Sequence, residues 1–386
     1  MQYAHIGLLP PYETPGLNYS HLCLIRRDWH KSIIQFEFLN TDSYDYCAEE
    51  NLPQRRIVCY YDNANNKYYG VDDVNPCLCT HLVYSHVTFD PANNWTLVSH
   101  GKLNEDYKDF HKLKKKNPWL MTMVSLIGGQ HADVSANGTD LKIVADKIIN
   151  FIGENHLDGV DVDLQGMSSG SPVEGYMPEK TGLNSFIKTL RESLDASIQE
   201  DDDPFLLSLT VSKNPHEMVY GYDIDHAIEF VDFFNLPAYN FTNATQPEAI
   251  HPSRLHGIAD IENADTLVDF MLTLGVPSNK LVVGVPTHGY TYTLLNSSAV
   301  EPGSPISGAG KPGDISNTAG FMTHEEICMK RNSQNWTVVR EQDQTAPYMY
   351  NGNQWIGFDD EMSIKLKTKY IVLRELGGIN VVFNQL

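Results

Sequence analysis

The chain has 386 residues, 41% of them hydrophobic and 10% aromatic, enough to bury a core larger than one small domain needs. Its formal charge of -21 repels polyanions, which argues against nucleic acid or an anionic membrane as partner and leaves neutral or cationic ligands. No apolar run approaches the roughly 18 residues that cross a bilayer.

Residues 1–54 set short apolar pieces, IGLLPPY and SIIQFEF, among Pro, Tyr and charges without a sustained period, and read as an N-terminal extension. They show no basic start followed by an unbroken apolar core, so no cleavable signal peptide is read there. From Arg56 the rhythm is regular. Strands are predicted at 56–61, 80–89, 120–129, 159–164, 205–212, 231–239, 281–286 and 378–383, each a near-continuous apolar run that suits a strand covered on both faces. Helices are predicted between them. Over 140–156, Leu141, Val144, Ile148, Phe151 and Ile152 recur at three and four, and 181–198, 262–275 and 360–378 behave alike. This alternation predicts an α/β fold, a (β/α)8 barrel spanning 55–386, with a doubly wound open sheet as the alternative. Residues 288–357, rich in Gly, Pro, Ser, Tyr and β-formers, predict a small α+β insertion between strands seven and eight, beside the barrel mouth.

In HLDGVDVDLQGM, His156 to Met167, alternation puts Asp161, Asp163 and Gln165 on one strand face, pointing into the barrel. Three polar groups climbing a buried face are costly unless they bond one another or a ligand. They stand at the C-terminal end of a strand, where barrel chemistry collects. The plainer alternative is a strand whose acids cap neighbouring loops. Asn-x-Ser/Thr patterns at Asn18, Asn94, Asn137, Asn240, Asn243, Asn296 and Asn335 fit a secreted surface. The six cysteines, Cys23, Cys47, Cys59, Cys77, Cys79 and Cys328, lack zinc-site spacing and read as disulfides, with buried thiols as the alternative.

Asp158, Asp161 and Asp163, followed by Gln165, resemble the Asp-x-x-Asp-x-Asp-x-Glu signature of family 18 glycoside hydrolases, the chitinase and chitinase-like group, with Gln165 at the Glu position. RIVCYY, CTHLVYS, SLIGG, AYNF, KLVVGVPTHGYTYTL, GFMTHEEIC and QWIGFDD carry the same resemblance in the family's order. It implies a substrate-assisted mechanism, without metal or cofactor, in which the Glu protonates the glycosidic oxygen while the sugar's own acetamide attacks the anomeric carbon. By position, Asp163 would orient that acetamide, Tyr239 would hold its carbonyl and Asp161 would support Asp163 from below. An amide at Gln165 has no proton to release, and general acid catalysis is worth about 10²–10⁴ in rate, so hydrolysis should be nearly abolished.

The resemblance has departures. Ala64, Gln130 and Val382 stand where the family has groove tryptophans, and Pro237, Asn240 and Tyr290 replace a Met, an Asp and an Arg. The remaining candidates for ligand contact are Tyr60, Tyr61, Gln130, Asn240, Tyr290 and Tyr292. A Cys59–Cys79 disulfide is implied by the family frame, whereas the usual partner of Cys328 and the final barrel helix have no counterpart before Leu386. The expectation is an extracellular, catalytically impaired chitinase-like protein that binds chitin or chito-oligosaccharides. A growth-factor-like protein that recognises a protein receptor is the alternative, and a residual hydrolase using Glu174 the second.

Overall fold

The computed structural model describes residues 54–62, 70–90, 93, 95–99, 106–127, 138–163, 180–199, 203–241, 248–257, 263–333, 335–340 and 345–383. The expectations for residues 1–53, Ala64, Gln130, Gln165, Glu174 and the Val382 side chain lie outside the described residues, as do those for Asn94, Asn137 and Asn243.

The chain lays down β1 (Arg56–Asp62), β2 (His81–Asp90), β3 (Thr96–Ser99), β4 (Met121–Ile127), β5 (Gly159–Asp163), β6 (Leu206–Thr210), β7 (Phe233–Leu236) and β8 (Leu281–Pro286). It continues through β9 (His288–Leu294), β10 (Ile306–Ala309), β11 (Phe321–Thr323), β12 (Thr337–Val339), β13 (Tyr348–Asn351), β14 (Gln354–Gly357) and β15 (Gly378–Phe383). Strands β1, β2, β4, β5, β6, β7, β8 and β15 pair in parallel in that order, and β1 closes the ring by pairing with both β2 and β15. β3 folds back antiparallel on β2. The fold is a (β/α)8 barrel.

Alternation along each strand separates two apolar sets. Val58, Tyr60, Val83, Met123, Phe233 and Val282 fill the lower barrel interior. Ile57, Cys59, Leu82, Val124, Val160, Leu207, Phe234, Val283 and Ile379 face outward into the shell beneath the helices. Those helices include α1 (Phe110–Leu113), α2 (Gly138–Glu154), α3 (Lys180–Ser197), α4 (Pro215–Gly221), α5 (Ile224–Phe230) and α6 (Ala264–Thr273). On α2 the residues spaced at three and four, Leu141, Val144, Ile148 and Ile152, are buried, together with Ala145. At Gly159 a Cβ would lie 2.3 Å from the Leu206 carbonyl oxygen, so this position of β5 must be glycine for β6 to approach.

Between β8 and β15 the chain forms a six-stranded antiparallel sheet, in the order β10-β9-β14-β13-β12 with β11 added on β9. It also forms α7 (His324–Asn332) and α8 (Glu361–Leu373). Tyr292 packs inside this sheet against Trp355, which stacks on Tyr348 at 5.2 Å. Cys59 and Cys79 form a disulfide that fastens β1 to the turn before β2. Cys328 is a buried thiol on α7, with Sγ 3.5 Å from His324 Nε2.

Where α8 begins, Asp359 and Lys367 are both buried, and Nζ lies 2.8 Å from each carboxylate oxygen. Ser253 and Ser363 complete their hydrogen bonding. Burial pushes the Asp359 carboxyl up, but Lys367 and His251 together hold it below its ordinary range. Burial lowers Lys367.

Four histidines are held neutral. Burial, then the charge of Arg56, drives His81 down to about 3, and burial leads the fall of His251, His288 and His324 to about 4. His251 shows the neutral tautomer in its bonds: Nδ1 accepts from Ser253 N–H and Nε2 donates to the Phe358 carbonyl. An unfolded chain protonates its histidines near pH 6.5. Between pH 6.5 and about 4 the unfolded state therefore binds more protons than the folded one, and stability falls as pH falls. Thermal melts should show a lower Tm at pH 5 than at pH 7; equal values would contradict these burials.

Candidate functional site

β5 carries the site. Asp161 points into the barrel and is fully buried. Its Oδ1 accepts from Ser208 Oγ at 2.6 Å and Asn235 Nδ2 at 3.2 Å, and its Oδ2 accepts from Tyr60 Oη at 2.9 Å and Ser125 Oγ at 3.1 Å. Thr210 Oγ1 stands within 3.1 Å of both oxygens. Asn380 Nδ2 extends the network by donating to Asn235 Oδ1. Four strands, β1, β4, β6 and β7, thus converge on one carboxylate, and their hydrogen bonds meet the cost of burying it.

Two residues further on, at the C-terminal end of β5, Asp163 is half-buried. Three phenols feel its charge. Burial, then Asp161 and later Asp163, holds Tyr60 well above its ordinary range. Burial, then Asp163 and Tyr290, raises Tyr239. Burial, then Asp163 and Glu217, raises Tyr222. All three hydroxyls stay protonated and can donate. A carboxylate beside phenolic donors is an arrangement that can grip an amide from both ends, the carboxylate taking its N–H and a phenol its carbonyl.

Tyr239 follows β7, and its ring passes over β8 where Gly284 leaves room: a Cβ there would lie 2.7 Å from Tyr239 Cε1 and 2.8 Å from Asn380 Oδ1. The chain then turns through Asn240 at φ 58°, a left-handed conformation that asparagine tolerates better than most residues. Lys213 Nζ donates to the carbonyls of Tyr239 and Asn240, and His288 Nε2 donates to Asn240 Oδ1 at 2.9 Å. The His288 ring in turn packs against Phe321 at 5.0 Å, Tyr290 at 5.6 Å and Tyr239 at 6.4 Å.

Of the residues singled out in the sequence, Tyr60, Asp161, Asp163, Tyr239, Asn240 and Tyr290 come together in this one network. Tyr61 does not. It faces outward from β1, donates to Asp106 and packs on Phe110. Tyr292 lies within the antiparallel sheet. Lys213, Tyr222 and His288 do not stand out in the sequence. Lys213 and His288 come within three residues of the C-terminal ends of β6 and β8, and the rule that barrel chemistry gathers at such ends would have flagged them.

Residues 56–382 match the family "Glycosyl hydrolases family 18". Mouse chitotriosidase-1 is 29% identical over 346 residues, 84% of this chain and 72% of that protein. Among solved structures, Ostrinia furnacalis Group IV chitinase superposes with a TM-score of 0.76 at 28% identity, covering 85% of this chain and 92% of that one. Human YKL-39, a pseudo-chitinase with retained chitooligosaccharide binding properties, superposes with a TM-score of 0.75 at 28% identity, over 85% of this chain and 92% of its own. With this barrel, these strand-end residues and a family match running from β1 to β15, the chain belongs to glycosyl hydrolase family 18.

Proposed function

We propose that the protein is a secreted chitinase-like pseudoenzyme that binds chitin or other N-acetylglucosamine-containing glycans at the barrel mouth without cleaving them. The observation that carries this reading is the pairing of a substituted acid, Gln165, with a retained polar cluster of Asp161, Asp163 and Tyr239. Asp163 takes the acetamide N–H, Tyr239 donates to its carbonyl, and Asp161 holds the strand beneath them. Asn240 and Tyr290 stand beside Tyr239, and Tyr60 holds Asp161 from the barrel interior below. Gln130 is a further contact candidate from its place in the sequence, and the amide of Gln165, at the acid's position in the signature, supplies no proton. The sheet of residues 288–357 is an insertion in a barrel domain of 55–386, and through His288, Tyr290 and Phe321 it braces Tyr239. The likeness to human YKL-39 supports retained binding. The Cys59–Cys79 disulfide supports an oxidising, extracellular setting.

Calorimetric titration of the N-glycan-free protein with chitohexaose at neutral pH tests this. Micromolar binding is expected, weakened at least tenfold in Asp163→Ala, while a chromogenic chitobioside stays uncut by the wild type. No heat at millimolar sugar would sink it. The second reading, recognition of a protein receptor, would then take over; it is favoured by the non-aromatic residues at positions 64, 130 and 382, where stacking surfaces for sugar rings are lost.

A further inference from the structure

The sequence Asn240-Phe241-Thr242 is an acceptor pattern for N-linked glycans, and it starts one residue after Tyr239. The Asn240 side chain is held one way round. Its Oδ1 accepts from the buried His288, so Nδ2 is turned away from that imidazole, and it has no partner among the described residues. Lys213 pins the backbone beneath it, and the residue is half-exposed. The nitrogen that glycosylation would use is thus, among the described residues, the unengaged end of an amide fixed beside Tyr239. The described acceptor sites at Asn296 and Asn335 are more exposed, but they belong to the antiparallel sheet, after β9 and before β12.

We propose that Asn240 carries an N-linked glycan whose innermost sugars occupy the barrel mouth. In the transfer, Nδ2 attacks C1 of the first sugar of a lipid-pyrophosphate-linked oligosaccharide. A C1–N bond forms, the C1–O bond to pyrophosphate breaks, the amide gives up one proton, and the lipid pyrophosphate leaves with the electron pair. The product amide keeps its carbonyl oxygen, so the His288 hydrogen bond survives. Such a glycan begins with two β-1,4-linked N-acetylglucosamines, the repeating unit of chitin. The modification therefore tethers, beside Tyr239, the sugar for which the mouth is proposed. This rests on the binding reading above. A short tether presents its ligand at an effective concentration on the order of millimolar, which outcompetes free sugar that binds at micromolar strength.

The test uses full-length protein secreted from insect cells. Enzymatic release of N-glycans in heavy-oxygen water marks each occupied asparagine by mass and separates Asn240 from the neighbouring Asn243. Thr242→Ala removes the Asn240 acceptor pattern while leaving Asn240 in place, and Thr245→Ala removes only that of Asn243. Expected are a marked Asn240, chitotetraose binding at least tenfold tighter in Thr242→Ala than in wild type, and wild-type affinity in Thr245→Ala. An unmarked Asn240 overturns the modification whatever the affinities. A marked Asn240 with equal affinity in wild type and Thr242→Ala overturns self-occupancy. A marked Asn240 with no binding in any variant overturns the groove reading, and self-occupancy with it, while the glycan itself stands.

Discussion

Replacing Asp161 by alanine should cost the barrel about 3–5 kcal/mol, read as a fall in the urea midpoint at unchanged slope. The figure follows from what is left behind. Tyr60, Ser125, Ser208, Thr210 and Asn235 all direct donors at this carboxylate from neighbouring strands, and none has water to turn to. A buried donor without a partner costs about 1–3 kcal/mol, and hydroxyls that can rotate toward one another recover part of the sum. Asp161→Asn keeps the shape and one acceptor, and should cost roughly half as much. Against a total stability of about 5–15 kcal/mol the alanine variant sits near the edge of folding. A loss under about 1 kcal/mol in Asp161→Ala would show that the network is ornamental to stability.

The second large effect is expected at Asp359 and Lys367. Each charge is buried and answered by the other, so removing one partner strands the second in a medium that cannot solvate it. Asp359→Leu and Lys367→Met should each lose about 3–5 kcal/mol, whereas the double variant, which buries apolar groups in the same volume, should lose less than either single one. Denaturation of all three variants decides the matter. Additive losses in the double variant would mean that the two groups do not depend on each other, contrary to the 2.8 Å contacts between them.

The barrel was legible because its strands are covered on both faces, and such strands read as unbroken apolar runs. LVVGVP, predicted at 281–286, is β8 residue for residue, and GINVVF is β15. Helix α2 was legible for the complementary reason, a stripe at three and four along a polar face. What escaped was direction and distance. Tyr60 and Tyr61 are adjacent, so only one can face the interior, and strict alternation along β1 is enough to send Tyr61 outward. Tyr292 had no such parity argument, because the pairing of β9 with β14 across the sheet is a long-range fact that no local pattern reports. Likewise Lys213 and His288 read as ordinary polar residues in the sequence. They matter because Asn240, 27 positions from the lysine and 48 from the histidine, is folded between them.

The closing of β1 on β15 has a kinetic consequence. Arg55 donates to the Leu376 carbonyl across 321 positions of chain, and β1 completes its ladder only with β15. During synthesis β1 therefore waits, one edge bare, while nearly all the rest of the barrel is made. Parallel closure over such a separation is slow, because loop entropy is spent before the contact rewards it, and an open apolar edge recruits other chains. The Cys59–Cys79 bond spans only 20 positions and can form as soon as β2 is in place. It holds one side of β1 against its proper neighbour through that interval, so reducing conditions should harm the yield of folded chains more than they harm the finished barrel.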